Sequence, residues 1–559
     1  MLSPIGALDP RTRRYIAPTR VVWQSAGVNV EPLLQSTDPQ TSLWRPAACK
    51  LEYTDHAPGF LLDFGRELHG GLAIIVRSRS SASGLGPGAT SSSARPVRLR
   101  VRFGESVSEA MGEPVNDHGM HDFLCEVAWG GSVEVGPTGF RFVRIDLVDP
   151  GASVALQAVL AVSLMREIEP VGSFSCSDKR LNAIWQTGAR TVHLCMQDYL
   201  WDGIKRDRLV WMGDMHPEIQ VIGRVFGNDQ IVPESLDWAR NEFALPGFMN
   251  GIPSYSMWWV IAQRDWFYRF ADRGYLREQR EYLLGLLERL AGFVGEDGQE
   301  HLPERRFLDW GSANDKTAID TGLHALLALA LSAGAELCGE LSEAETGQLC
   351  RSAADQLAKH TPPTISKQAN ALCVLAGLAD ARETNAEILA RDPLRGFSPF
   401  YGYYVLEARA KAGDYAGCLE AIRRFWGGML DFGATSFWEH FDLDWTENAS
   451  RIDELVPEGK RDIHKDCGEH CYVGLRHSLC HGWSGGPTAW LSDHVLGVRP
   501  VTPGFAQVTI DPHLCDLEWA EGAVPTPHGP IDIRHERQPG GTINSEIGLP
   551  EGVALAGNI

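Results

Sequence analysis

The sequence predicts a multidomain protein in which an (α/α)6 helical toroid lies between an N-terminal β-sandwich and a short C-terminal β-domain. Three observations predict it. Up to residue 170, short runs alternate apolar and polar side chains between glycine, proline, serine and aspartate breaks. From 171 to 497 the apolar residues recur at helical spacing, in about a dozen segments. From 498 to 559 the strand pattern returns. At 559 residues the chain exceeds one core, and roughly 150 residues per domain allows about three or four units.

In the first domain, 1–170, strand-like runs fall at 71–76, 97–103, 123–127, 140–147 and 158–163. The serine- and glycine-rich stretch 79–96 reads as a surface excursion between two strands. No catalytic cluster stands out here, so the expected role is structural, or contact with substrate at an edge. The pattern changes at Phe174-Ser175-Cys176-Ser177. There Ser177 is the expected N-cap ahead of Leu181, Ile184, Trp185, Gly188, Val192 and Cys195. Helices are then expected at 178–197, 214–227, 233–244, 255–273, 276–293, 317–338, 343–358, 366–379, 399–411, 415–427 and 482–496. Mostly short connections suit antiparallel pairs, and their number suits a closed toroid with alternate loops at one end. No strict repeat accompanies them, so an open helical array fits the same count. The final domain, 498–559, is short for an independent sandwich and is expected to pack on the toroid.

Composition narrows the function class. Apolar residues make up 44% and charged residues 22%, as in ordinary soluble domains. Lysine and arginine total 51 against 72 acids, a formal charge of −21, which opposes binding to nucleic acid or anionic membranes. The first ten residues lack the basic region and apolar run of a secretory signal. The most apolar stretch, 323–335, is shorter than a membrane span. Twelve cysteines are scattered, several at helical positions (Cys195, Cys338, Cys350, Cys373), and read as buried thiols in a reducing compartment. Cytoplasmic is the expected location.

The chemistry concentrates in four loops of the helical region. The densest runs from Trp201 to Glu218, with Asp202, Lys205, Arg206, Asp207, Arg208, Trp211 and Asp214. The others are Phe307-Leu308-Asp309-Trp310-Gly311-Ser312, Gly433-Ala434-Thr435-Ser436-Phe437-Trp438-Glu439-His440-Phe441-Asp442 and His477-Ser478-Leu479-Cys480-His481-Gly482-Trp483. Each pairs a tryptophan with a carboxylate or histidine. Sugars suit this mixture, because indole faces stack on C–H surfaces while carboxylates and guanidinium groups bond vicinal hydroxyls. The plain alternative for any one of them is a solvated loop with incidental ion pairs. Glycoside hydrolysis needs two carboxyl groups on opposite sides of the scissile bond. Asp207 and Glu439, on different loops 232 residues apart, are the candidates.

Other chemistries fit less well. His464-Lys465-Asp466-Cys467-Gly468-Glu469-His470-Cys471 with His477 holds zinc-ligand residue types, but at spacings unlike the common sites. Gly482-Trp483-Ser484-Gly485-Gly486 lacks the strand and lysine of a phosphate loop. No Gly-x-Ser-x-Gly elbow appears in a strand–helix context.

The run Asp202…Lys205-Arg206-Asp207-Arg208…Trp211…Gly213-Asp214 resembles the signature loop of the α-L-rhamnosidases of glycoside hydrolase family 78. Ala434-Thr435-Ser436-Phe437-Trp438-Glu439-His440 is similar to the family's second signature, and Ser478-Leu479-Cys480-His481 to its sugar-binding histidine motif. Gly497…Pro500…Pro503-Gly504-Phe505 with Pro525-Thr526-Pro527 resembles its C-terminal β-domain. The resemblance covers about 170–535 and implies inverting hydrolysis of terminal α-L-rhamnosides by an (α/α)6 domain. Carried over, Asp207 is the general acid and Glu439 the general base. Asp202, Arg206 and Asp214 hold sugar hydroxyls, and His481 binds the sugar. Trp211, Trp310, Trp438 and Trp258 are aromatic contacts.

Two departures stand out. The family's run is of the Arg-Asp-Glu-Arg type, whereas this chain reads Arg-Asp-Arg, and counting back from Trp211 places Asp207 at the acid. The interval from Glu439 to His481 is long, with a charged insertion over 442–465. The expectation is thus a metal-independent, cofactor-free glycosidase acting on a small carbohydrate. The alternatives are a related hydrolase or lyase for a fucoside or uronate, and a non-catalytic carbohydrate-binding protein. Composition leaves oligomeric state open.

Overall fold

The computed structural model describes residues 9–34, 48–80, 96–114, 119, 121–303, 305–470 and 472–556. Most of the serine- and glycine-rich stretch 79–96 lies outside the described residues, as does Cys471.

The N-terminal region contains β1 (Arg11–Ile16), β2 (Arg20–Gln24), β3 (Cys49–Glu52), β4 (Gly59–Ser80), β5 (Val97–Gly104), β6 (Asp122–Val127), β7 (Ser132–Leu147) and β8 (Ser153–Arg166), with short helices α1 (Glu31–Leu34) and α2 (Val107–Met111). The order β1-β8-β4-β7-β5-β6 is antiparallel throughout. The long strand β4 carries β2 on its first half and β8 on its second, with register breaks between Asp63 and Leu68 and between Gly70 and Leu72. Its core has its own apolar cluster, including Phe60, Leu72, Val101, Phe140 and Val159.

The helical region opens with a short strand, β9 (Ser173–Cys176), and continues as α3 (Lys179–Cys195), α4 (Met212–Val225), α5 (Ile231–Glu242), α6 (Pro253–Phe270), α7 (Arg273–Ala291), α8 (Lys316–Leu341), α9 (Ala344–Leu357), α10 (Lys367–Leu375), α11 (Ala381–Thr384), α12 (Pro399–Lys411), α13 (Tyr415–Asp431) and α14 (Gly486–Trp490). Alternate helices form a cycle. α4 packs on α6, α6 on α8, α8 on α10, α10 on α12, α12 on α14, and α14 returns to α4. The inner helices are buried nearly all round, as in α6 and α12, whereas α7 and α9 on the outside bury one stripe. Helix α8 is long and apolar enough by composition to cross a membrane, and extends well beyond the apolar run 323–335. It is a core helix, packed among α6, α7, α9 and α10.

Helix starts follow side-chain capping. Asp178, Asp272, Asp315, Ser366, Asp380, Ser398 and Asp414 each accept a backbone amide from the first turn they cap. The cap of α3 is therefore Asp178 rather than Ser177, whose hydroxyl instead accepts the amide of Glu518 (2.9 Å). Helix α4 has no side-chain cap of its own, and Asn250 Oδ1 accepts Met212 N from the α5–α6 loop (3.0 Å).

After α13, the chain forms the small parallel pair β10 (Ala449–Ser450) and β11 (Arg461–Asp462) before α14. The C-terminal strands are β12 (Val498–Pro500), β13 (Gln507–Ile510), β14 (Trp519–Val524), β15 (Ile531–Arg537), β16 (Ile543–Gly548) and β17 (Ala554–Leu555). Strand β9 pairs with β14, completing the order β16-β15-β14-β9. Helical and C-terminal residues share one apolar cluster running from Phe174 to Val553, so this β-region is packed on the helices.

Candidate active site

At one end of the helical cycle lies a cavity of about 510 Å³. The α3–α4 loop and the start of α4 contribute Asp202, Arg206, Asp207, Trp211 and Asp214. Ile252 and Tyr255 come from the start of α6, and Arg305, Arg306, Phe307 and Trp310 from the α7–α8 loop. Glu439, Arg476, His481 and Trp483 come from the segment before α14.

The α3–α4 loop is held from within. Asp202 accepts the amides of Asp207 (3.1 Å) and Leu209 (2.9 Å) on its two carboxylate oxygens, and its own amide donates to Leu209 O (3.0 Å). The Arg206–Asp207 peptide is cis. Asp202, Lys205 and Arg206 are buried, while the Asp207 side chain stays 29% exposed. Gly203 bridges to His481, and Gly482 N donates to Asp202 O (2.8 Å), joining this loop to the one before α14.

Residues 475–479 form a strap whose backbone polarity matches its neighbours. Its carbonyls face cations: Lys205 Nζ donates to Leu475 O (2.6 Å) and His477 O (2.9 Å), and Arg206 Nε donates to Arg476 O (2.9 Å). Its next two amides face carboxylates: Ser478 N donates to Glu439 Oε2 (3.2 Å), and Leu479 N to Glu105 Oε2 (2.6 Å). Arg206 Nη2 lies 2.5 Å from Glu439 Oε2, with its Nη1 3.6 Å from Asp207 Oδ1. One buried guanidinium thus stands between the two candidate carboxylates.

His481 is the centre of the acid cluster. Its Nε2 lies 3.6 Å from Asp202, 3.7 Å from Glu439 and 3.8 Å from Asp214. Burial opposes a charge on the imidazole, but the Asp202, Glu439 and Asp214 carboxylates outweigh it and raise its pKa. Burial pushes Asp214 well above the usual carboxylate range, with Asp202, Glu439 and Asp207 adding to the rise and His481 opposing it. Tyr255 OH reaches Asp214 Oδ2 at 3.4 Å. One turn along α4, Glu218 is buried, and neither of its carboxylate oxygens has a hydrogen-bond partner among the described residues. Burial, followed by Asp214 and Asp202, holds its pKa far up.

Close packing here requires glycine at two positions. A Cβ on Gly213 would lie 2.3 Å from the Tyr255 ring, and one on Gly482 1.5 Å from Glu218 Oε1.

Of the residues read from sequence, Asp202, Arg206, Asp207, Trp211, Asp214, Trp310, Glu439 and His481 converge on this cavity. Trp258 and Trp438 do not line it. Trp258 is 2% exposed, stacks on His216 and Tyr404, and lines a second cavity with Arg264 and Asp265. Trp438 is 1% exposed and wedges edge-on against Phe441 and His477. Both indoles sit inside the ring or beneath the loop, where they pack on protein. Tyr255 and Ile252 escaped the sequence reading because they lie in a segment without charged residues, and Arg476 because it falls between the charged run ending at His470 and the loop that begins at His477. His464 and His477, noted as zinc-type residues, bond protein groups: His464 bridges Ser106 Oγ (2.7 Å) and His477 O (2.9 Å), and His477 Nε2 accepts His440 N (2.9 Å). The insertion over 442–465 packs partly on the N-terminal domain, with Val107 N donating to Ile452 O (2.8 Å). Just beyond it, His470 and Tyr472 approach Trp310.

Residues 169–360 match the family model of the bacterial α-L-rhamnosidase six-hairpin glycosidase domain, and 497–556 that of the bacterial α-L-rhamnosidase C-terminal domain. A curated α-L-rhamnosidase of Alteromonas sp. (strain LOR) is 32% identical over 110 residues, 19% of this chain and 10% of that protein. The fold is similar to the family 78 rhamnosidase of Bacillus sp. GL1 (TM-score 0.74, 24% identity, 94% of this chain and 56% of that one). It is also similar to the Klebsiella oxytoca rhamnosidase solved with rhamnose bound (0.65, 19%, 87% and 96%). A third likeness is to the Streptomyces avermitilis α-L-rhamnosidase complexed with L-rhamnose (0.65, 16%, 90% and 49%). The chain spans about a tenth of the curated relative and about half of the Bacillus and Streptomyces chains.

Proposed function

Because the chain carries the six-hairpin glycosidase and C-terminal domains of the bacterial α-L-rhamnosidases, we propose that it is a glycoside hydrolase releasing terminal α-L-rhamnose, with inversion, from a small glycoside or oligosaccharide. Asp207 is the general acid and Glu439 the general base. We read the helical cycle as an (α/α)6 toroid, the sheet folded about β4 as a β-sandwich, and the domains as 1–170, 171–497 and 498–559. A reducing, cytoplasmic setting is supported by the eleven described cysteines, none of them in a disulfide.

The observation that carries the mechanism is Arg206 standing between two carboxylates that line the same cavity. Since a guanidinium is planar and rigid, the facing oxygens of Asp207 and Glu439 lie within about 8.5 Å of each other. That bound admits the roughly 6.5–9.5 Å carboxyl spacing of inverting enzymes and equally the roughly 5–5.5 Å of retaining ones, so the anomer released decides between them. Asp207, the more exposed of the two, protonates the leaving oxygen. Glu439, held by Arg206 and Ser478 N, takes a proton from the attacking water. Asp214 and His481 face the same cavity and bond sugar hydroxyls, and Trp211, Tyr255 and Trp310 give it apolar walls. Asp202 acts chiefly through the loop amides it accepts.

A second reading has its own observation. Arg305, Arg306 and Arg476 line the cavity of a strongly acidic chain, which favours an acidic sugar. The test is release of aryl alcohol from a panel of aryl α-L-glycosides, with the anomer of the first-formed sugar followed by NMR. Turnover of the rhamnoside to the inverted anomer supports the proposal. Turnover of a uronide alone supports the second reading, and turnover of a fucoside alone points to a different neutral sugar. Binding without turnover across the panel leaves a carbohydrate-binding protein.

A further inference from the structure

The N-terminal domain meets the catalytic loops at several points, among them Glu67 N to Thr435 Oγ1 (2.8 Å) and Arg141 Nη1 to Gly433 O (3.0 Å), and at one of them it buries a charged cluster. Glu105, Ser106 and Glu109, at and just before α2, are all buried there. Lys205, from the α3–α4 loop, is equally buried, and its three protons have three acceptors: Glu109 Oε1 (3.0 Å), Leu475 O (2.6 Å) and His477 O (2.9 Å). Glu105 stands 3.6 Å from the same ammonium and accepts Leu479 N at 2.6 Å. Ser106 reaches the strap by a second route, through His464 to His477 O.

We propose that Glu105 is a positioning residue for Glu439, acting through the strap 475–479 with Lys205 on its other side. This rests on the reading of Glu439 as general base. The chain of contacts is short. Leu479 N is held by Glu105, the neighbouring Ser478 N by Glu439, and Glu439 N in turn donates to Ser478 O (3.0 Å). A shift of the strap therefore moves both the hydrogen bond on the base and the backbone that carries it. Stability alone is a poor reason for such a cluster, because two carboxylates facing one ammonium in a buried interface gain little over apolar packing. Held geometry is a better one, since a displacement of about 1 Å at a reacting group costs about a hundredfold in rate.

The experiment compares Glu105→Ala, Glu105→Gln and Lys205→Met with Leu99→Ala, a deletion in the apolar core of the same domain that is remote from the strap. Steady-state kinetics on an aryl α-L-rhamnoside and amide hydrogen exchange over 474–481 are read for each. The expected result for Glu105→Ala is a kcat lower by about ten- to a hundredfold with KM within about twofold, and faster exchange at 478–480. Glu105→Gln, which keeps an acceptor for Leu479 N, recovers most of the rate. Lys205→Met gives the same paired changes and serves where Glu105→Ala does not fold. Leu99→Ala lowers the melting temperature while leaving kcat and the strap's exchange unchanged. Equal kcat in Glu105→Ala and Leu99→Ala, or exchange over 474–481 unaltered by Glu105→Ala and Lys205→Met, overturns the proposal. Wild-type inactivity on the rhamnoside refutes the proposed function instead, and the exchange comparison still decides whether Glu105 holds the strap.

Discussion

Arg206 and Glu439 form a buried pair, Nη2 to Oε2 at 2.5 Å, and the same guanidinium faces Asp207 at 3.6 Å. A fixed cation between the two carboxylates aligns both and leaves little freedom to either.

Removing either carboxylate tests their roles. Asp207→Asn and Glu439→Gln are each expected to lower kcat on an aryl α-L-rhamnoside by about 10²–10⁴-fold. An activated aryl leaving group needs less protonation, so Asp207→Asn loses less on it than on a rhamnosyl sugar. Rates unchanged in both variants would refute the assignment.

Arg206→Met leaves Glu439 buried without its charge partner, which costs about 3–5 kcal/mol when a buried pair is broken. Urea unfolding measures it. Arg206→Lys is expected to recover only part, because an ammonium cannot span Asp207 and Glu439 as the fork does.

Asp202 holds two backbone amides rather than acting only on sugar. Asp202→Asn keeps one acceptor oxygen and places an NH2 group where the other stood. The expected loss is about 1–3 kcal/mol of stability, together with a drop in kcat as Asp207 loses its fixed position. A change in KM alone, with unfolding unaltered, would make it a pure sugar contact.

Glu218 gives a pH signature. Its pKa is raised in the folded state by burial, so the fold holds a proton that the unfolded chain releases. The contribution is full below the ordinary glutamate value of about 4.3 and is lost as pH rises toward the raised folded value. Asp214 has the same sign. As pH rises above about 4.3 the melting temperature of the wild type should fall relative to that of Glu218→Gln, a comparison in which the opposing slope of buried histidines such as His464 and His477 cancels. Equal slopes in the two proteins would contradict it.

The aromatic residues divide by exposure. Trp310, 37% exposed on the cavity wall, should raise KM several-fold as Trp310→Ala with little change in melting temperature. Trp258→Ala and Trp438→Ala remove fully buried rings and should cost about 3–5 kcal/mol of stability. Thermal denaturation and initial rates separate the two groups.

The sequence by itself determined the strand–helix–strand order and most of the helices, because hydrophobic periodicity is a local property that each segment displays on its own, but it missed the short α11, and the helix expected at 482–496 is α-helical only over Gly486–Trp490. It also marked the four loops, where carboxylates, guanidinium groups and indoles crowd together without helical spacing. Closure of the ring from α14 back to α4, the pairing of β9 with β14, and the burial of Trp258 beside the exposure of Trp310 were decided only by tertiary structure. So was the meeting of Glu105 with Lys205 and Leu479, the last 374 residues away in the chain. Nothing near a tryptophan in the sequence states which side of a loop faces solvent. A carboxylate in a strand-rich domain likewise carries no mark of the lysine it meets. The loop around Asp207 was legible as a candidate site from its composition. That Asp202 holds it in shape, and that Arg206 ties it to Glu439, depends on buried contacts formed when distant segments pack.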